Sequence, residues 1–380
     1  MINHQIITSL LDLDWYKLTM GSFIHDYLGQ AKLEVTFVLF DREKFDYDIS
    51  RHALIEQLNA TRALKFTRQE LHYLRGFGMF NEEYLDFLSK LTLPEPFLHS
   101  DGTISVKGKW EEVTYWETLL MSIVNEMISL QHIPYDQMKD RRYLALQYVK
   151  FCEKIDMCES NGIKFSDFGT RRRASKAWQH CLIESLVEHK TQGFLGTSNV
   201  ALAMEFGISP IGTMAHELFM VTTAPDINPK ATNEICKKWN SCTRFPKILL
   251  TDTYTTPWFF NNIDEDIIRD ACGFRWDSGD PDIFTDQVLA YLQERVINPK
   301  YYKIIYSDRM TAEKMVRLHK KYSPVIQTAF GWGTDLTNPN PTGLICKAMK
   351  VDEWGTVKLS DDPKKALGNK CDEYRQKLRI

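Results

Sequence analysis

Seven short apolar runs between about residues 160 and 340 constrain the fold of the chain more than any other feature. Each run ends in Gly, Ser, Thr, Asp or Arg, and helical patterns separate one run from the next. With the polar residues that close them, the runs are residues 163–170, 193–199, 207–217, 247–253, 273–280, 303–308 and 325–334. Because parallel strands need helical crossovers, this alternation predicts an α/β barrel, with a doubly wound open sheet as the alternative.

The first third of the chain predicts a mixed α/β unit. Residues 33–40 and 103–106 have strand patterns, whereas residues 55–64, 68–74 and 115–128 have helical patterns. The composition, 43% hydrophobic and 26% charged, is typical of a globular protein with a sizeable core.

Charge and apolar patterning exclude several function classes. A net charge of −3 gives no field that would attract nucleic acid. No stretch approaches the ~20 apolar residues of a membrane span, and residues 1–15 lack the pattern of a secretory signal. The eight cysteines include no CxxC pair, which predicts reduced, mostly buried thiols in a cytoplasmic protein. We therefore expect neither a nucleic-acid nor a membrane partner.

A single histidine follows the third run. His216 lies beside Glu217 and just after the pair Gly212-Thr213. A histidine at the carboxyl end of a strand can titrate near neutral pH, act as a base or accept a phosphoryl group. Taken alone, a residue of this kind is more often a structural histidine, so the other run ends decide the interpretation.

The other run ends supply cations and small polar groups. Arg171 and Arg275 have planar guanidinium groups suited to phosphate or carboxylate. Of three consecutive arginines, Arg172 or Arg173 must point elsewhere and make a surface contact or an ion pair. The pairs Gly196-Thr197 and Gly212-Thr213 and the segment 331–334 can present backbone N–H groups and hydroxyls to phosphate oxygens.

Three carboxylates lie at the ends of two of the runs. Asp277, Asp280 and Asp308 can hold ribose hydroxyls or a Mg²⁺ carried by a polyphosphate, although Asp-Ser-Gly-Asp also suits a turn with a helix cap. The set fits a sugar phosphate or a phosphoribosyl donor. A zinc hydrolase fits poorly, because no His-x-His or His-Glu-x-x-His occurs. A Schiff-base lyase fits poorly too, because Lys164 and Lys247 stand at strand starts.

Five segments spread over nearly the whole chain resemble the signature motifs of the nicotinate phosphoribosyltransferase family. In the family's order they are DWYKLTM at 14–20, FGTRRR at 168–173, GTMAHE at 212–217, RWDSGDP at 275–281 and KLSDDP at 358–363. One such motif is unspecific, whereas five in order are highly specific. The last motif usually continues Pro-Gly-Lys, but here it continues Pro363-Lys364-Lys365, and the chain ends soon after.

The resemblance implies a fold and a reaction. The expected fold is an irregular seven-stranded α/β barrel, residues 136–344, beside an α/β sandwich domain built from residues 1–135 and 345–380. The expected enzyme is an ATP-coupled ligase of NAD salvage that converts nicotinate and phosphoribosyl pyrophosphate (PRPP) to nicotinate mononucleotide and pyrophosphate. ATP and Mg²⁺, the latter carried with PRPP or ATP, are the expected cofactors, and a homodimer with shared active sites is the expected assembly.

The resemblance also implies roles for individual residues. His216 matches the transiently phosphorylated histidine, with Asp277 and Glu217 as further catalytic candidates. The nicotinate site would comprise Tyr16 from the partner subunit together with Phe168, Ser198, Thr213 and Arg275. The PRPP and phosphate site would comprise Arg171, Ser307, Asp308, Gly333 and Thr334. For a phosphoribosyl donor to bridge them, His216 must lie within about 15 Å of Arg275 and Asp277.

Ser198 bears on the choice between acid and amide. Relatives that use nicotinamide carry an acidic residue at this position, and a carboxylate there would repel the carboxylate of nicotinate. Ser198 therefore favours the acid. The alternatives are a nicotinamide or quinolinate phosphoribosyltransferase and a non-catalytic barrel that senses PRPP or a nucleotide.

Overall fold

The computed structural model describes residues 4–29, 32–42, 49–132, 141–242, 244–340 and 342–380. Its strands are β1 (Glu34–Asp41), β2 (Pro96–Leu98), β3 (Ile104–Lys109), β4 (Phe165–Asp167), β5 (Phe194–Thr197), β6 (Ile248–Leu250), β7 (Gly273–Trp276), β8 (Lys303–Tyr306), β9 (Gln327–Trp332), β10 (Leu344–Val351) and β11 (Trp354–Gly355). They form one antiparallel and one parallel sheet, which confirms the predicted mixed α/β class.

The α-helices connect and cover these strands. They are α1 (Trp15–Phe23), α2 (Arg51–Arg62), α3 (Arg68–Gly76), α4 (Glu82–Lys90), α5 (Trp110–Val113), α6 (Trp116–His132), α7 (Arg141–Ser160), α8 (Lys176–Glu188), α9 (Val200–Phe206), α10 (Glu217–Thr222), α11 (Pro229–Ser241), α12 (Thr256–Asn262), α13 (Glu265–Asp270), α14 (Pro281–Glu294), α15 (Ala312–Tyr322), α16 (Thr334–Thr337) and α17 (Cys371–Leu378). A π-helical turn, Ile24–Leu28, extends α1. No helix in the described ranges is both long enough and apolar enough to cross a membrane.

The antiparallel sheet joins the two ends of the chain. Its strand order is β11-β10-β1-β3-β2, so the C-terminal strand β10 pairs directly with β1. This topology agrees with a sandwich unit built from both ends. The predicted boundary at residues 135 and 136 lies outside the described residues, and the division into two domains stays a prediction.

The parallel sheet has the order β5-β4-β9-β8-β7-β6. β4, β6 and β7 are buried along their whole length, as expected for strands covered by helices on both faces. In register, Trp276 pairs with Tyr306 and Tyr306 pairs with Phe330. The residues after β7, β8 and β9 therefore emerge side by side at the carboxyl edge of the sheet.

The predicted strand at residues 207–211 is reduced to one bridge. Gly207 ends α9 with a left-handed φ of 64°, and only Pro210 then pairs with the sheet, through Thr197 at the end of β5. Because Gly207 belongs to the helix end and proline has no N–H, little backbone remains to form a ladder. Six of the seven predicted strands are thus present as strands in the described residues, and barrel closure stays a prediction.

Capping side chains set the starts of the helices near the site. Asp280 accepts the N–H groups of Asp282 and Ile283 at the start of α14, and Pro281 occupies the first turn. The prediction that Asp-Ser-Gly-Asp provides a helix cap is therefore confirmed for Asp280. Asn199 caps α9 in the same way, through the N–H of Leu202.

All eight cysteines are free, as predicted. Four are buried and two are half-buried, while Cys181 and Cys272 are exposed. The prediction of mostly buried thiols is therefore correct for four of the eight.

Candidate functional site

His216 lies at the N-terminus of α10, enclosed by the loops that follow β6 and β7. Its side chain is buried, with 3% of its surface exposed. Nδ1 lies 3.0 Å from Oγ1 of Thr253, and Nε2 lies 3.1 Å from Oδ2 of Asp277. His216 and Asp277 are therefore as close as expected, since they lie within hydrogen-bond distance of each other.

Lys358 and Asp252 complete the surroundings of the imidazole. Nζ of Lys358 lies 2.8 Å from Nε2 of His216 and 3.7 Å from Oδ2 of Asp252. Oδ1 of Asp252 lies 3.6 Å from the same Nε2. Neither residue was among the predicted site residues, although Asp252 lies at the end of the run 247–253 and Lys358 begins the motif KLSDDP. The run end and the motif were visible in the sequence, but no nearby residue indicated that Asp252 and Lys358 contact His216.

The imidazole of His216 is neutral at pH 7. Burial and the Lys358 ammonium lower its pKa, the carboxylates of Asp252 and Asp277 raise it, and the net result is a pKa of about 4. One ring nitrogen therefore keeps a free lone pair. This is the form of histidine that acts as a base or a nucleophile.

Asp277 is the ionised carboxylate of the site. Burial raises its pKa, but Arg275, His216 and Lys358 together lower it well below the usual value. Oδ1 accepts a hydrogen bond of 3.0 Å from Oγ of Ser307 and lies 3.6 Å from Nη2 of Arg275. About a quarter of the side chain stays exposed, at 27%, so the negative charge faces the open edge of the sheet.

Arg275 fixes the loop that leads to His216. Its Nη1 donates to Oγ1 of Thr213 and to the carbonyl of Met214, both at 2.7 Å. The same loop begins at Gly212, where an added Cβ would lie 3.0 Å from the backbone nitrogen of Tyr16. A side chain at this position would therefore be tight against α1. The two predicted residues Thr213 and Arg275 are in direct contact.

The phosphate-site candidates occupy the ends of β8 and β9. Oδ1 of Asp308 pairs with Nζ of Lys365 at 2.6 Å, and Lys365 also donates to the carbonyl of Asp277 at 3.0 Å. Gly333 caps the short helix α16, which begins at Thr334. These positions lie along one edge, and their phosphate-binding role stays a prediction.

A turn forms where the last motif departs from its usual sequence. Pro363–Lys365 is a 3₁₀ turn, and Oδ1 of Asp362 accepts the N–H of Lys364 at 3.0 Å. Lys364 itself is exposed and does not occupy the left-handed region. The missing glycine is thus tolerated, and the turn delivers Lys365 to Asp277 and Asp308.

A second cluster gathers around Arg171. Its Nη1 donates to Oδ2 of Asp14 at 3.0 Å, and its guanidinium lies 5.7 Å from the centre of the Tyr16 ring. Oγ of Ser198 donates to the other oxygen of Asp14 at 2.5 Å and lies 3.1 Å from Oγ1 of Thr170. Asp14 therefore occupies the N-cap position of α1 without a side-chain capping bond, because its carboxylate binds two predicted site residues instead.

Tyr16 and Phe168 are placed differently from each other. Tyr16 is buried, donates to Oε2 of Glu117 at 3.1 Å and contacts Arg171 of its own chain. Phe168 is half-buried, and its ring packs on Gly331 so closely that no Cβ would fit there. That Tyr16 also serves a partner subunit stays a prediction.

Arg173 is the arginine of the triple that points away from the site. Its two terminal nitrogens donate to the two oxygens of Asp12 at 2.6 and 2.9 Å, and both side chains are buried. This bidentate ion pair confirms that one of the later arginines makes a structural contact.

Glu217 also faces away from the imidazole. Oε1 accepts hydrogen bonds of 2.7 Å from Nε1 of Trp110 and from Oγ1 of Thr114, and Oε2 pairs with Nζ of Lys17. Lys17 pairs in addition with Glu117 at 2.6 Å. These contacts describe a structural carboxylate that anchors α10 to α1 and α5, and the catalytic role of Glu217 stays a prediction.

The carboxylates next to His216 suit a hard cation. Ligand atoms of His216, Asp252 and Asp277 all lie within 4.8 Å of one another. Oδ1 of Asp252 is buried and has no hydrogen-bond partner among the described residues. Carboxylate oxygens are the ligands that Mg²⁺ prefers, so these residues fit a magnesium ion that enters with a polyphosphate.

Fold and site together define a mixed α/β protein whose charged groups converge at the carboxyl edge of a parallel sheet. A family model for the nicotinate phosphoribosyltransferase (NAPRTase) family matches residues 163–375, and a model for the NAPRTase N-terminal domain matches residues 11–125. The chain belongs to the nicotinate phosphoribosyltransferase family.

Solved structures extend the similarity over the whole chain. A nicotinate phosphoribosyltransferase from Porphyromonas gingivalis has a TM-score of 0.88 at 27% identity, over 99% of this chain and 100% of that one. Another from Vibrio cholerae has a TM-score of 0.88 at 27% identity, over 100% of this chain and 95% of that one. A structure from Saccharomyces cerevisiae, 24% identical over both full chains with a TM-score of 0.87, shows the fold alone.

Proposed function

We propose that the protein transfers the phosphoribosyl group of PRPP to nicotinate, in a reaction coupled to ATP through transient phosphorylation of His216. The observation that carries the proposal is the contact of a neutral, buried His216 with the ionised Asp277 at 3.1 Å, on the edge where Arg275 and Ser307 also converge. The products would be nicotinate mononucleotide, pyrophosphate, ADP and phosphate, and the reaction would begin NAD salvage from nicotinate.

Asp277 would stabilise the transition state of the transfer. The ring nitrogen of nicotinate attacks the ribose carbon as its bond to pyrophosphate breaks, so positive charge develops on the sugar. A fixed carboxylate held by Arg275 and Ser307 is preorganised to face that charge. Mg²⁺ would neutralise charge on the pyrophosphate, with Asp252 and Asp277 as the residues suited to hold it.

His216 would couple the transfer to ATP. A neutral imidazole accepts the γ-phosphoryl group and later releases it to water. A phosphoryl group on His216 adds about two negative charges beside Asp277, which changes the affinity of the site for PRPP and for products. Hydrolysis of ATP can therefore favour the binding of PRPP in one state of His216 and the release of products in the other.

Arg171 and Arg275 are the cations that would meet the anionic ends of the substrates. Arg171 is about one-third exposed, at 32%, and its partner Asp14 can be exchanged for another carboxylate or a phosphate. Tyr16 beside it supplies an aromatic face for the pyridine ring. The assembly we infer is a homodimer with shared active sites, and the free cysteines support a cytoplasmic location.

A pyrophosphate-release assay tests the proposal. The purified protein is mixed with PRPP, Mg²⁺ and either nicotinate or nicotinamide, with and without ATP. We expect release with nicotinate, stimulated by ATP, and much less release with nicotinamide. Preference for nicotinamide would assign the alternative transferase, and PRPP binding without any release would assign a non-catalytic sensor.

A further inference from the structure

We propose that Lys358 is a catalytic residue of histidine phosphorylation, which directs Nε2 of His216 toward the γ-phosphoryl group and binds the oxygens of that group during transfer. This inference rests on the proposed phosphohistidine. It adds a residue and names the reacting nitrogen.

Lys358 is held in place by its backbone and by burial. It is 5% exposed, and its segment forms an antiparallel bridge with Leu367 through N–H···O bonds of 2.9 and 2.8 Å. A buried lysine is uncommon and needs a partner. Here the ammonium lies against Nε2 of His216 at 2.8 Å and 3.7 Å from Asp252, so it is aimed at the imidazole.

The contacts of His216 define which nitrogen is free to react. An ammonium has only donors, so a hydrogen bond from Lys358 requires a lone pair on Nε2. The ring proton then sits on Nδ1, which donates to Oγ1 of Thr253. In the other tautomer Nε2–H donates to Asp277, and Nε2 is unavailable. Lys358 therefore favours the nucleophilic tautomer, while Asp277 keeps its hydrogen bond from Ser307.

The chemical step balances with ATP as the only co-reactant. The lone pair of Nε2 forms a bond to the γ-phosphorus, and the bond from that phosphorus to the bridging oxygen breaks, so that ADP leaves with the electron pair. The Nδ1 proton remains directed at Thr253 or passes to solvent. The phosphoryl oxygens then replace Nε2 as the acceptors of the Lys358 N–H groups.

A cation is needed at this position because the site is otherwise negatively charged. The phosphoryl group arrives beside two carboxylates, Asp252 and Asp277, which repel it. Arg275 faces Oδ1 of Asp277, on the side away from His216. Among the described residues, Lys358 is the cation in contact with Nε2, and a preorganised cation of this kind is worth about 10²–10³ in rate.

The test compares Lys358→Met and Lys358→Arg with Lys364→Met, a matched control at an exposed lysine of the same segment. Radiolabel from [γ-³²P]ATP is followed into the protein, and uncoupled transfer is measured with nicotinate, PRPP and Mg²⁺ without ATP. We expect Lys358→Met to slow phosphorylation about 10²–10³-fold, with partial rescue in Lys358→Arg. The loss of phosphorylation should exceed any loss of uncoupled transfer, and the control should match the wild type in both assays.

Rescue by a second cation separates catalysis from a structural role. Lys358→Arg keeps a cation beside Nε2 of His216, whereas Lys358→Met keeps none. A phosphorylation rate in Lys358→Met equal to that of the wild type, or one no faster in Lys358→Arg than in Lys358→Met, would overturn the proposal.

Two controls keep the outcome interpretable. Lys358→Met leaves Asp252 without its ammonium partner, so Lys358→Met/Asp252→Asn removes both charges if the single variant fails to fold. The double variant should remain slow in phosphorylation, and recovery of the wild-type rate would overturn the proposal. Absence of radiolabel in the wild type would instead refute the phosphohistidine itself.

Discussion

Lys17 and Glu217 form a buried ion pair although 200 residues separate them in the sequence. The pair joins α1 to α10, which begins directly after His216. Glu117 is the second carboxylate on the same ammonium, and it pairs in turn with Lys347 of β10. The position of His216 thus depends on ion pairs from three other elements.

Replacement of Lys17 by Met should destabilise the fold strongly. Two buried carboxylates would lose their shared cation, and an unpaired buried charge costs about 3–5 kcal/mol. Urea unfolding measures this loss. Lys90→Met removes an exposed pair with Asp86 and should cost less than about 1 kcal/mol. Equal effects of the two substitutions would show that the buried pair does not anchor α10.

Replacement of His216 by Ala should abolish the coupling to ATP and leave some uncoupled transfer. The variant keeps Asp277 with Arg275 and Ser307, so the groups that face the ribose remain. The measurement is the ratio of ADP to nicotinate mononucleotide formed. An unchanged ratio would show that His216 does not couple the transfer to ATP.

The buried, neutral His216 should make stability depend on pH between about 6.5 and 4. An unfolded histidine binds a proton near pH 6.5, whereas the folded imidazole resists it until pH 4, because burial and Lys358 lower its pKa to about 4. The contribution is therefore complete above pH 6.5 and falls as the pH decreases, by about 3 kcal/mol in total.

Comparison with His216→Asn isolates this contribution. Urea unfolding at steps between pH 4 and 7 should give a steeper decline for the wild type. Asp361, whose pKa burial and Asp252 raise to about 6, titrates in both proteins and so cancels. Parallel curves would show that the fold does not lower the pKa of His216.

Replacement of Ser198 by Asp should weaken the preference for nicotinate. The new carboxylate would lie beside Asp14, whose oxygen is 2.5 Å from the present hydroxyl, and would repel the carboxylate of the base. We expect the ratio of kcat/KM for nicotinate over nicotinamide to fall at least about tenfold. Ser198→Asn, of the same size without the charge, is the matched control, and an equal fall in both variants would assign the effect to shape.

The sequence by itself determined the local features of this protein. Short apolar runs with polar ends predicted the parallel strands, and the five motifs predicted the family. Each strand pattern and each motif is a property of a few consecutive residues, so it can be recognised without the fold. His216, Asp277 and Arg275 followed from the same rule, since the carboxyl ends of parallel strands meet at one edge, whereas Ser307 was implied by the family resemblance.

Only the tertiary structure decided which of these residues touch. Lys358 reaches His216 across 142 positions, and Asp14 reaches Ser198 across 184. No periodicity in the sequence encodes such pairs. Adjacent residues also separate, because Glu217 begins a helix whose side chains point in different directions, so that it turns to Lys17 while His216 faces Asp277. Neighbouring residues in the chain determine the helices and strands, whereas the packing of distant helices and strands determines which side chains meet in the site.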